Sequence, residues 1–595
     1  MVMPRNFYWI YGLPCLCCVT FNLVYFHLYR NGSKDHLDFL NSGDGSFRTW
    51  QSDSIHSHDI TIKNQIQLEN ELPGSPDWIL SNPAMNREVE GYMSRTSVQK
   101  GERILLFYSV NPNANMTLQT PPAEVKIEVF RTGYDGVGAR KVFGPTQVPG
   151  IAQKMPEPGK DGLIVCKWRD PYVLETSVLW TTGVYLVKMT EMNPASMAQS
   201  YAVFVLRDDH RSSTSAADIM FQLPVNTYQA YNIWGGKNLY RCVNSKRCQQ
   251  ARKVSFDRPY AAPENKVGAF GTGAAEYLSN VQPFMTYPIK TTASWNYNMV
   301  RWMEKNHIDV SYITNVDVHN RLPSFRKPKL FLTQGHDEYW TWAMRDHVTS
   351  WRDEGVDLAF LGSNTAYWQI RYEDIDRSST PNMYANADNN NVSEPVFDEE
   401  PRTVVCYRRT KQDPDKSQYS SVKFRLVRPE ALMVGVEYIF PLGDPFDEDL
   451  IVANHSHWLY RGTGVKKGDK IPGMLGYEVD RIREEVLRPM KGNSEEPITS
   501  ISKIFETPLI NRKNETIISH GAMYQAKSGA NVFGAGTMQW SWGLDDYGVQ
   551  QGLRTSRLSS VIEMMTWNLL EAAGIAVPHT CFLFISTRVT CNQNE

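Results

Sequence analysis

One stretch of the chain decides the fold: residues 329–372 read KLFLTQGHDEYWTWAMRDHVTSWRDEGVDLAFLGSNTAYWQIRY. It opens with the apolar run Leu330–Thr333, which is too short for a helix and right for a buried strand. A helical segment follows from Trp342 and ends at Gly355. A second buried run, Val356–Leu361, comes next. Strand, helix and strand in this order are the unit of a parallel sheet.

Polar residues follow both strands at the point where each one ends. His336 and Glu338 come after the first strand, and Asn364 comes after the second. In parallel sheets, ligands bind at the carboxyl ends of the strands. A lone His-x-Glu is more often a hydrogen-bonded turn than a site. Here, however, two titratable groups, two aromatic residues and a glycine share one strand end, where burial and mutual charge perturb pKa values.

The composition is that of an ordinary globular protein. Of the 595 residues, 42% are apolar and 21% are charged, so the chain has room for several domains and is not mainly disordered. The formal net charge is -2, and no long Lys/Arg block occurs. Because phosphate binding needs a concentrated basic surface, nucleic acid is not expected as a partner.

The N-terminal region differs from the rest of the chain. Residues 7–28 read FYWIYGLPCLCCVTFNLVYFHL and contain no charged side chain, which matches the roughly 20 residues that span a bilayer as a helix. We therefore predict a short cytosolic tail (1–6), a transmembrane signal-anchor (7–28) and a polar stem (29–75). A cleaved signal peptide is the alternative, but no A-x-A-like site follows. The anchor predicts a single-pass type II membrane protein with a lumenal or extracellular body.

The cysteines outside the predicted anchor form an even set that is compatible with disulfides in an oxidising compartment. Cys242 with Cys248 and Cys581 with Cys591 are the natural local pairs. The sequence alone does not fix their connectivity.

Hydrophobic patterning divides the body into two predicted domains. Residues 76–210 contain short alternating runs such as Arg103–Val110 and Gly183–Met189, separated by Gly and Pro turns, which predicts a β-sandwich. Residues 211–578 alternate strand and helix signals, which predicts a parallel-sheet α/β domain. Within it, a strand at Asp218–Leu223 is expected to open into a tyrosine-rich loop, Pro224–Tyr240. Residues 579–595 form a C-terminal tail.

Carboxylate, imidazole and phenol side chains are the candidates for chemistry. They are His336, Glu338, Glu478, Tyr231, Tyr240 and Tyr260. Carboxylate and phenolate oxygens are hard donors that suit a highly charged cation such as ferric iron better than zinc. A metal held in this way acts as a Lewis acid on a carbonyl and on water. From the residues alone this is one interpretation among several, because each tyrosine can equally be structural.

A resemblance to a known family rests on seven ordered motifs. They are TYQAYNIWGGKNLY, VSFDRPY, DVSYITNVDVH, GHDEYW, LAFLGSNTAYWQIRYE, PGMLGYEVD and GTMQWSWGLDD. Together with RTGYDGVGAR and WTTGVYLVKM, they make the chain similar to the large (beta) subunit of N,N-dimethylformamidase and its relatives over most of its length. The resemblance implies a β-sandwich followed by an α/β domain similar to class I glutamine amidotransferases.

The resemblance also implies a site. The founding enzyme of the family hydrolyses an amide at a mononuclear iron held by two tyrosines and one glutamate. Carried over by motif, Glu338 of GHDEYW resembles the glutamate ligand and His336 a catalytic neighbour, while Glu478 of GYEVD resembles a second catalytic carboxylate. Tyr260 of FDRPY and Tyr231 of AYN are the expected tyrosine ligands, and Tyr240 is the reserve.

The function that the resemblance implies is metal-dependent hydrolysis of a carbon–nitrogen amide bond, with ferric iron as cofactor and a small-molecule or amide substrate. Two departures from the family leave the substrate open. No counterpart of the small dimethylformamidase subunit is expected in this chain, and the family enzyme is soluble, whereas this chain carries a predicted anchor. Assembly into a homo-oligomer also stays open.

Two alternatives come from other functional classes. A tail, anchor, stem and large body is also the layout of Golgi glycan-processing enzymes, which commonly bind metal through Asp-x-Asp. The close match here, Asp374-Ile-Asp376, lies away from the predicted strand ends. The second alternative is a non-catalytic, membrane-anchored binding domain that retains the fold, since fold alone does not determine function.

An uncleaved anchor has a direct consequence for cell fractionation. Full-length protein should stay with membranes after carbonate extraction and carry endoglycosidase-sensitive sugar at Asn115 or Asn391, which are both N-x-Ser/Thr acceptor sites. Recovery of a soluble chain that begins after residue 28 would instead identify the segment as a signal peptide.

Overall fold

The computed structural model describes most of the chain from residue 63 onward. The described ranges are 63–110, 123–209, 217–243, 248–263, 266–279, 294–320, 325–374, 400–441, 448–476, 478–487, 495–510 and 514–577. The predicted cytosolic tail (1–6), signal-anchor (7–28) and C-terminal tail (579–595) lie outside these ranges. Within them, no helix is both long and apolar enough to span a membrane.

Strands dominate the first part of the described chain, after the short helix α1 (Gln65–Asn70), which falls in the segment predicted as stem. The strands are β1 (Val89–Met93), β2 (Ser97–Gln99), β3 (Arg103–Val110), β4 (Val125–Thr132), β5 (Ala139–Val148), β6 (Tyr172–Glu175), β7 (Gly183–Glu191) and β8 (Gln199–Arg207). One sheet has the order β1-β3-β6 and the other β2-β8-β7-β4-β5. Ile104 of the first sheet shares an apolar cluster with Val187 and Phe204 of the second, so the sheets pack as a sandwich.

The second part alternates strands and helices from residue 219 to residue 363. These elements are β9 (Ile219–Leu223), α2 (Val225–Tyr231), β10 (Lys253–Ser255), α3 (Asn296–Lys305), β11 (Val310–Thr314), α4 (Asn315–Asn320), β12 (Leu330–His336), β13 (Tyr339–Thr341), α5 (Trp342–Asp353) and β14 (Asp357–Ser363). The strand–helix–strand unit predicted from residues 329–372 is confirmed as β12, α5 and β14.

Shorter elements complete the described chain. They are β15 (Trp368–Glu373), β16 (Thr403–Val405), β17 (Val422–Lys423), α6 (Ala431–Val434), β18 (Glu437–Pro441), β19 (Glu448–Ile451), β20 (Lys470–Leu475), β21 (Glu478–Arg481), β22 (Ser502–Ile510), β23 (Thr516–Gln525), β24 (Asn531–Gly534) and α7 (Ser560–Ala572). Single turns of 3-10 helix lie between several of them.

The main sheet of this part is mixed rather than purely parallel. Its order is β11-β9-β12-β14-β24-β23-β22. The strands from β11 to β24 pair in parallel, and β24, β23 and β22 pair antiparallel. The parallel-sheet prediction is therefore wrong for the last two strands, because a hairpin extends the sheet at that edge. The similarity to class I glutamine amidotransferases stays a prediction.

The predicted loop Pro224–Tyr240 is also corrected in its first half, where α2 forms. Asn226 of α2 is buried, and its backbone N–H donates to Asn315 Oδ1 at 3.1 Å. Its Nδ2 donates to the backbone oxygen of Tyr339 at 3.0 Å. Polar residues that read as a loop in sequence are thus satisfied inside the protein by partners far away in the chain.

A buried ion pair connects the sandwich to the α/β part. Arg131 of β4 and Glu304 of α3 form two hydrogen bonds, Nη2 to Oε1 at 2.7 Å and Nη1 to Oε2 at 3.1 Å. Tyr312 Oη donates to Glu304 Oε1 at 2.8 Å. Both parts belong to one compact unit, Lys63–Glu595, and the domain limits 76–210 and 211–578 stay predictions.

Removing one partner of this pair should strongly destabilise the protein. Glu304→Gln leaves the Arg131 guanidinium buried beside a neutral amide, so the free energy of unfolding should fall by about 3–5 kcal/mol. Glu496→Gln, which removes the exposed partner of Lys527, is the matched control and should change it by less than about 1 kcal/mol. Urea unfolding followed by tryptophan fluorescence measures both, and equal losses would contradict the expected role.

Candidate active site

The site lies where β12 and β14 end side by side. In this parallel pair, Gly335 lies opposite Gly362 and His336 lies opposite Ser363. A Cβ atom at Gly362 would lie 2.2 Å from the backbone oxygen of Gly335, so the close approach of the strands requires glycine there. The strand ends bring together two of the predicted polar residues, since Asn364 Nδ2 lies 3.3 Å from His336 Nε2.

His336 lies between two buried carboxylates. Its Nε2 is 3.1 Å from Glu478 Oε2 and 3.3 Å from Glu338 Oε2. Burial by itself lowers the pKa of His336, but the charges and hydrogen bonds of Glu478 and Glu338 outweigh it and raise that pKa to about 10. The ring is therefore an imidazolium at neutral pH, with its proton directed at the carboxylates.

Glu338 is the centre of the site. Tyr231 Oη lies 2.9 Å from Glu338 Oε2, Tyr240 Oη lies 2.8 Å from the same oxygen, and the two phenol oxygens are 2.8 Å apart. Burial alone would raise the pKa of Glu338, but His336, Arg408 and the hydrogen bond from Tyr240 together lower it. Glu338 is thus an ionised carboxylate with charged and hydrogen-bonding partners.

The two tyrosines reach Glu338 from one short segment. Tyr231 is the last residue of α2, and its ring stacks on the ring of Tyr240 at a centroid distance of 4.4 Å. Asn238 fixes the turn between them: its Nδ2 donates to the backbone oxygen of Tyr231 at 2.7 Å, and its Oδ1 accepts from the backbone N–H of Tyr240 at 2.9 Å. These bonds hold both phenols in position to contact the Glu338 carboxylate.

A disulfide follows this segment directly. Cys242 and Cys248 are bonded to each other, which is one of the two local pairs expected from the sequence. The other pair, Cys581 and Cys591, lies outside the described residues. The backbone at Cys242 also forms a bridge with Lys237, so the chain that carries Tyr240 is held on both sides.

Tyr260, one of the two expected metal ligands, takes a different place. Its side chain hydrogen-bonds with Gln229, and burial raises its pKa above the ordinary value for a phenol. It lines a cavity together with Tyr231 and Ala261. The second tyrosine on Glu338 is Tyr240, the reserve candidate, and metal binding by Tyr260 stays a prediction.

Asp337, the direct neighbour of Glu338, has a structural role. Its carboxylate accepts hydrogen bonds from Gln222 Nε2 at 2.6 Å, Asn315 Nδ2 at 3.1 Å and Thr333 Oγ1 at 2.9 Å. These partners belong to β9, α4 and β12. Asp337 therefore ties the sheet to α4, while Glu338 takes part in the site.

Sequence reasoning did not select Tyr339, Arg408 or Asp480 as site residues. Tyr339 Oη contacts Tyr240 Oη. The guanidinium carbon of Arg408 lies 3.9 Å from the ring centroid of Tyr240. Tyr339 and Asp480 sit in the GHDEYW and GYEVD motifs, so a search of motif neighbours would have found them, whereas Arg408 lies in a segment whose pattern gives no such signal.

Asp480 supports the turn after β14. Its Oδ1 accepts from Ser363 Oγ at 2.7 Å and from the backbone N–H of Asn364 at 2.9 Å. Burial raises the pKa of Asp480 to about 7. Asn364 in turn donates from Nδ2 to Glu478 Oε2 at 2.8 Å, so Asp480 helps to place the side chain that contacts Glu478.

The donor set fits a hard cation. In the described residues, no group of three or more His, Cys, Asp and Glu side chains could hold a metal ion, but phenol oxygens lie outside that set of donors. The oxygens of Tyr231, Tyr240 and Glu338 are 2.8–2.9 Å apart. Oxygen ligands about 2.0 Å from a small octahedral cation are about 2.8 Å apart. The same spacing also suits O–H···O hydrogen bonds.

Comparison with solved structures adds no argument about the fold. The cellulose-active LPMO CelS2 in complex with copper is similar with 18% identity over 19% of this chain and a TM-score of 0.13. The matched part spans about half of that structure, 54% of its length. No curated protein matches the chain.

Comparison with protein families gives a clear result. The model described as N,N-dimethylformamidase beta subunit-like, C-terminal, matches residues 126–553. The match covers most of the chain and includes both strand ends, the tyrosine segment and Glu478. The prediction from the seven motifs is confirmed: the chain belongs to the N,N-dimethylformamidase beta subunit-like family.

Proposed function

We propose that the protein is a metal-dependent hydrolase that acts on the carbon–nitrogen bond of an amide. Family membership supports a hydrolase. The observation that carries the proposal is that three hard oxygen donors, from Tyr231, Tyr240 and Glu338, lie within 2.9 Å of one another directly beside His336 and Glu478. Metal donors and proton-transfer groups therefore share one buried site.

Ferric iron is the proposed cofactor, and Tyr231, Tyr240 and Glu338 are the residues that would hold it. When bound, it supplies Lewis acidity toward the carbonyl oxygen of an amide. Burial and the charge of Glu338 raise the pKa of Tyr240, and the nearby Arg408 lowers it. The net effect is a pKa well above the ordinary value for a phenol, so Tyr240 would have to lose its proton on binding the cation to act as a phenolate ligand.

His336 and Glu478 are proposed to move the protons. An amine is a poor leaving group until its nitrogen is protonated, so amide cleavage needs a general acid. The imidazolium of His336 holds a proton at Nε2, 3.1 Å from Glu478 Oε2. We assign His336 as the acid for the leaving nitrogen and Glu478 as the base for the attacking water. Asn364, through its bond to Glu478, orients that carboxylate.

The body is proposed to lie in the secretory lumen or outside the cell, attached by residues 7–28. The Cys242–Cys248 disulfide supports this location, because disulfides form and persist mainly in oxidising compartments. The proposed substrate is a small amide.

A matched pair of tyrosine variants tests the metal site. Tyr240→Phe removes a phenol oxygen from Glu338, so iron affinity should fall by more than the roughly 10–100-fold that the loss of an outer partner costs. Tyr260→Phe removes a phenol that bonds with Gln229 and should leave iron content unchanged. Iron per protein chain, together with the visible tyrosinate-to-iron absorption, measures both variants.

Glu338→Gln extends the same test, since it keeps the side chain's shape and removes its charge. Iron affinity should again fall strongly while the far-ultraviolet circular dichroism stays unchanged. Iron binding in Glu338→Gln equal to that of the unmodified protein would reject the site, and loss of iron in Tyr260→Phe with retention in Tyr240→Phe would exchange the two tyrosines.

The proton-transfer role of His336 predicts a different outcome. His336→Gln should retain iron, because the imidazole is not one of the proposed ligands, but should lower kcat for amide hydrolysis by about 10²–10⁴-fold. Measured hydrolysis rates with the iron-loaded variant decide this. A variant that lost its iron as completely as Glu338→Gln would place His336 among the ligands instead.

A further inference from the structure

A cluster of cations lies beside the proposed active site. Arg408, Lys423 and Arg425 lie over the rings of Tyr367 and Trp368. Trp368 begins β15 and lies opposite Lys423 of β17. All three cations occur between LAFLGSNTAYWQIRYE and PGMLGYEVD, two of the seven motifs that carry the family resemblance. The cluster therefore belongs to a part of the chain outside those motifs.

Arg408 connects this cluster to the site. Its guanidinium carbon lies 3.9 Å from the ring centroid of Tyr240. Tyr231 stacks on the same ring at a centroid distance of 4.4 Å, so Arg408 occupies the opposite face. The hydroxyl of that ring lies 2.8 Å from Glu338 Oε2. One phenol ring therefore separates Arg408 from the carboxylate at the centre of the site.

The guanidinium of Arg408 has no acceptor. Arg408 forms no hydrogen bond or ion pair with any of the described residues, and its contacts are the rings of Tyr240 and Trp368. Its Nε is a buried donor without a partner, and so is Nε1 of Trp368, which is 4% exposed. Its terminal nitrogens are not among the buried unpaired atoms, so they reach solvent. A guanidinium held on aromatic rings with its terminal nitrogens open suits an oxyanion.

Lys423 supplies a second charge without an acidic partner. Its ammonium nitrogen lies 5.0 Å from the ring centroid of Tyr367 and 5.9 Å from that of Trp368. It pairs with no carboxylate in the part of the chain that the structure describes. Burial and the charges of Arg425 and Arg408 lower the pKa of Lys423. Like charges thus act on this ammonium more strongly than opposite ones.

Arg425, the third cation, is already paired. It donates to Glu430 Oε1 at 2.6 Å and to the backbone oxygen of Tyr438 at 2.8 Å. The charges left for a ligand are therefore those of Arg408 and Lys423. Both side chains are partly exposed, so a ligand reaches them from the surface and no closed cavity is required. An anion that contacts both cations removes their mutual repulsion.

We propose that Arg408 and Lys423 bind an anionic oxygen group of the substrate. The substrate class is then an amide that carries a carboxylate, sulfonate or phosphonate a few bonds from the scissile carbon–nitrogen bond. This inference rests on the proposed function, because Arg408 lies one ring away from Glu338. Binding energy at a remote anionic group positions the amide for attack. The amide that gives the family its name is neutral, and both cations lie outside the family motifs.

Probes of similar shape separate charge from size. N-acetylglycine, acetamidomethanesulfonate and acetamidomethylphosphonate carry an anion one carbon from the amide nitrogen, whereas N-acetylglycinamide places a neutral carboxamide there. Release of acetate from each by the iron-loaded protein gives kcat/KM. The variants are Arg408→Gln and Lys423→Met, which remove one charge each. Arg409→Gln removes the same charge from an exposed neighbour and is the matched control.

The preference for an anion is the quantity to measure. The unmodified protein should hydrolyse at least one anionic probe with a kcat/KM at least about 10-fold above that for N-acetylglycinamide, and the preferred probe identifies the group. Arg408→Gln and Lys423→Met should each lower this ratio about 10-fold, and Arg409→Gln should leave it unchanged. Because the ratio compares two substrates on one variant, a general loss of activity or iron cancels.

Three outcomes overturn the inference. They are equal kcat/KM for anionic and neutral probes, a preference that survives both substitutions, and a preference that falls as much in Arg409→Gln as in Arg408→Gln. The last result would assign the preference to the overall charge of the surface.

A binding measurement distinguishes failure of this inference from failure of the proposed function. Levulinate has the shape of N-acetylglycine but contains no amide bond, and levulinamide is its neutral analogue. Calorimetric titration should show levulinate binding at least about 10-fold more tightly than levulinamide, with the difference lost in Lys423→Met. Hydrolysis of amides without a preference for the anion rejects the anion site alone. Levulinate binding that depends on Lys423, with no hydrolysis of any amide, rejects the proposed function and retains the anion site.

Discussion

The buried carboxylate of Glu338 is the constraint on which the site depends. An ionised carboxylate away from water is tolerated only when charges and hydrogen bonds surround it. Glu338 has this surrounding from two phenols, the imidazolium of His336 and the guanidinium of Arg408. Removing a phenol takes a hydrogen bond from the Glu338 carboxylate, and removing His336 or Arg408 leaves its negative charge less compensated, so these residues act as one unit.

The rest of the body serves to bring these groups to one point. The tyrosines come from the end of α2 and the turn after it, the imidazole from the end of β12, and Glu478 from the start of β21. The parallel pairing of β12 with β14 places the carboxyl ends of the two strands side by side, with His336 opposite Ser363. The sandwich is joined to this arrangement through the ion pair of Arg131 and Glu304.

Local sequence signals predicted the parts of the fold that depend on local patterns. The runs of apolar residues located β12, α5 and β14, and the glycines marked where the strands end. The choice between Tyr240 and Tyr260 depends on tertiary packing, and no spacing rule distinguishes two tyrosines that both follow polar turns. α2 was missed because its asparagine and glutamine residues find partners only inside the folded protein. The antiparallel edge at β22 and β23 likewise depends on pairing that the apolar runs do not encode.

The Cys242–Cys248 cross-link makes the quality of a preparation depend on the host that produces it. A bond that closes so short a loop contributes about 2 kcal/mol by the chain-entropy relation, less than a bond that closes a long loop, so a reduced chain should still fold. Its effect is local, and Cys242 is two residues from Tyr240. Protein from a reducing cytosol and protein from a secretory pathway can therefore have the same circular dichroism but a different occupancy of the proposed iron site at Tyr231 and Tyr240. Thiol content is the quantity to record for each batch.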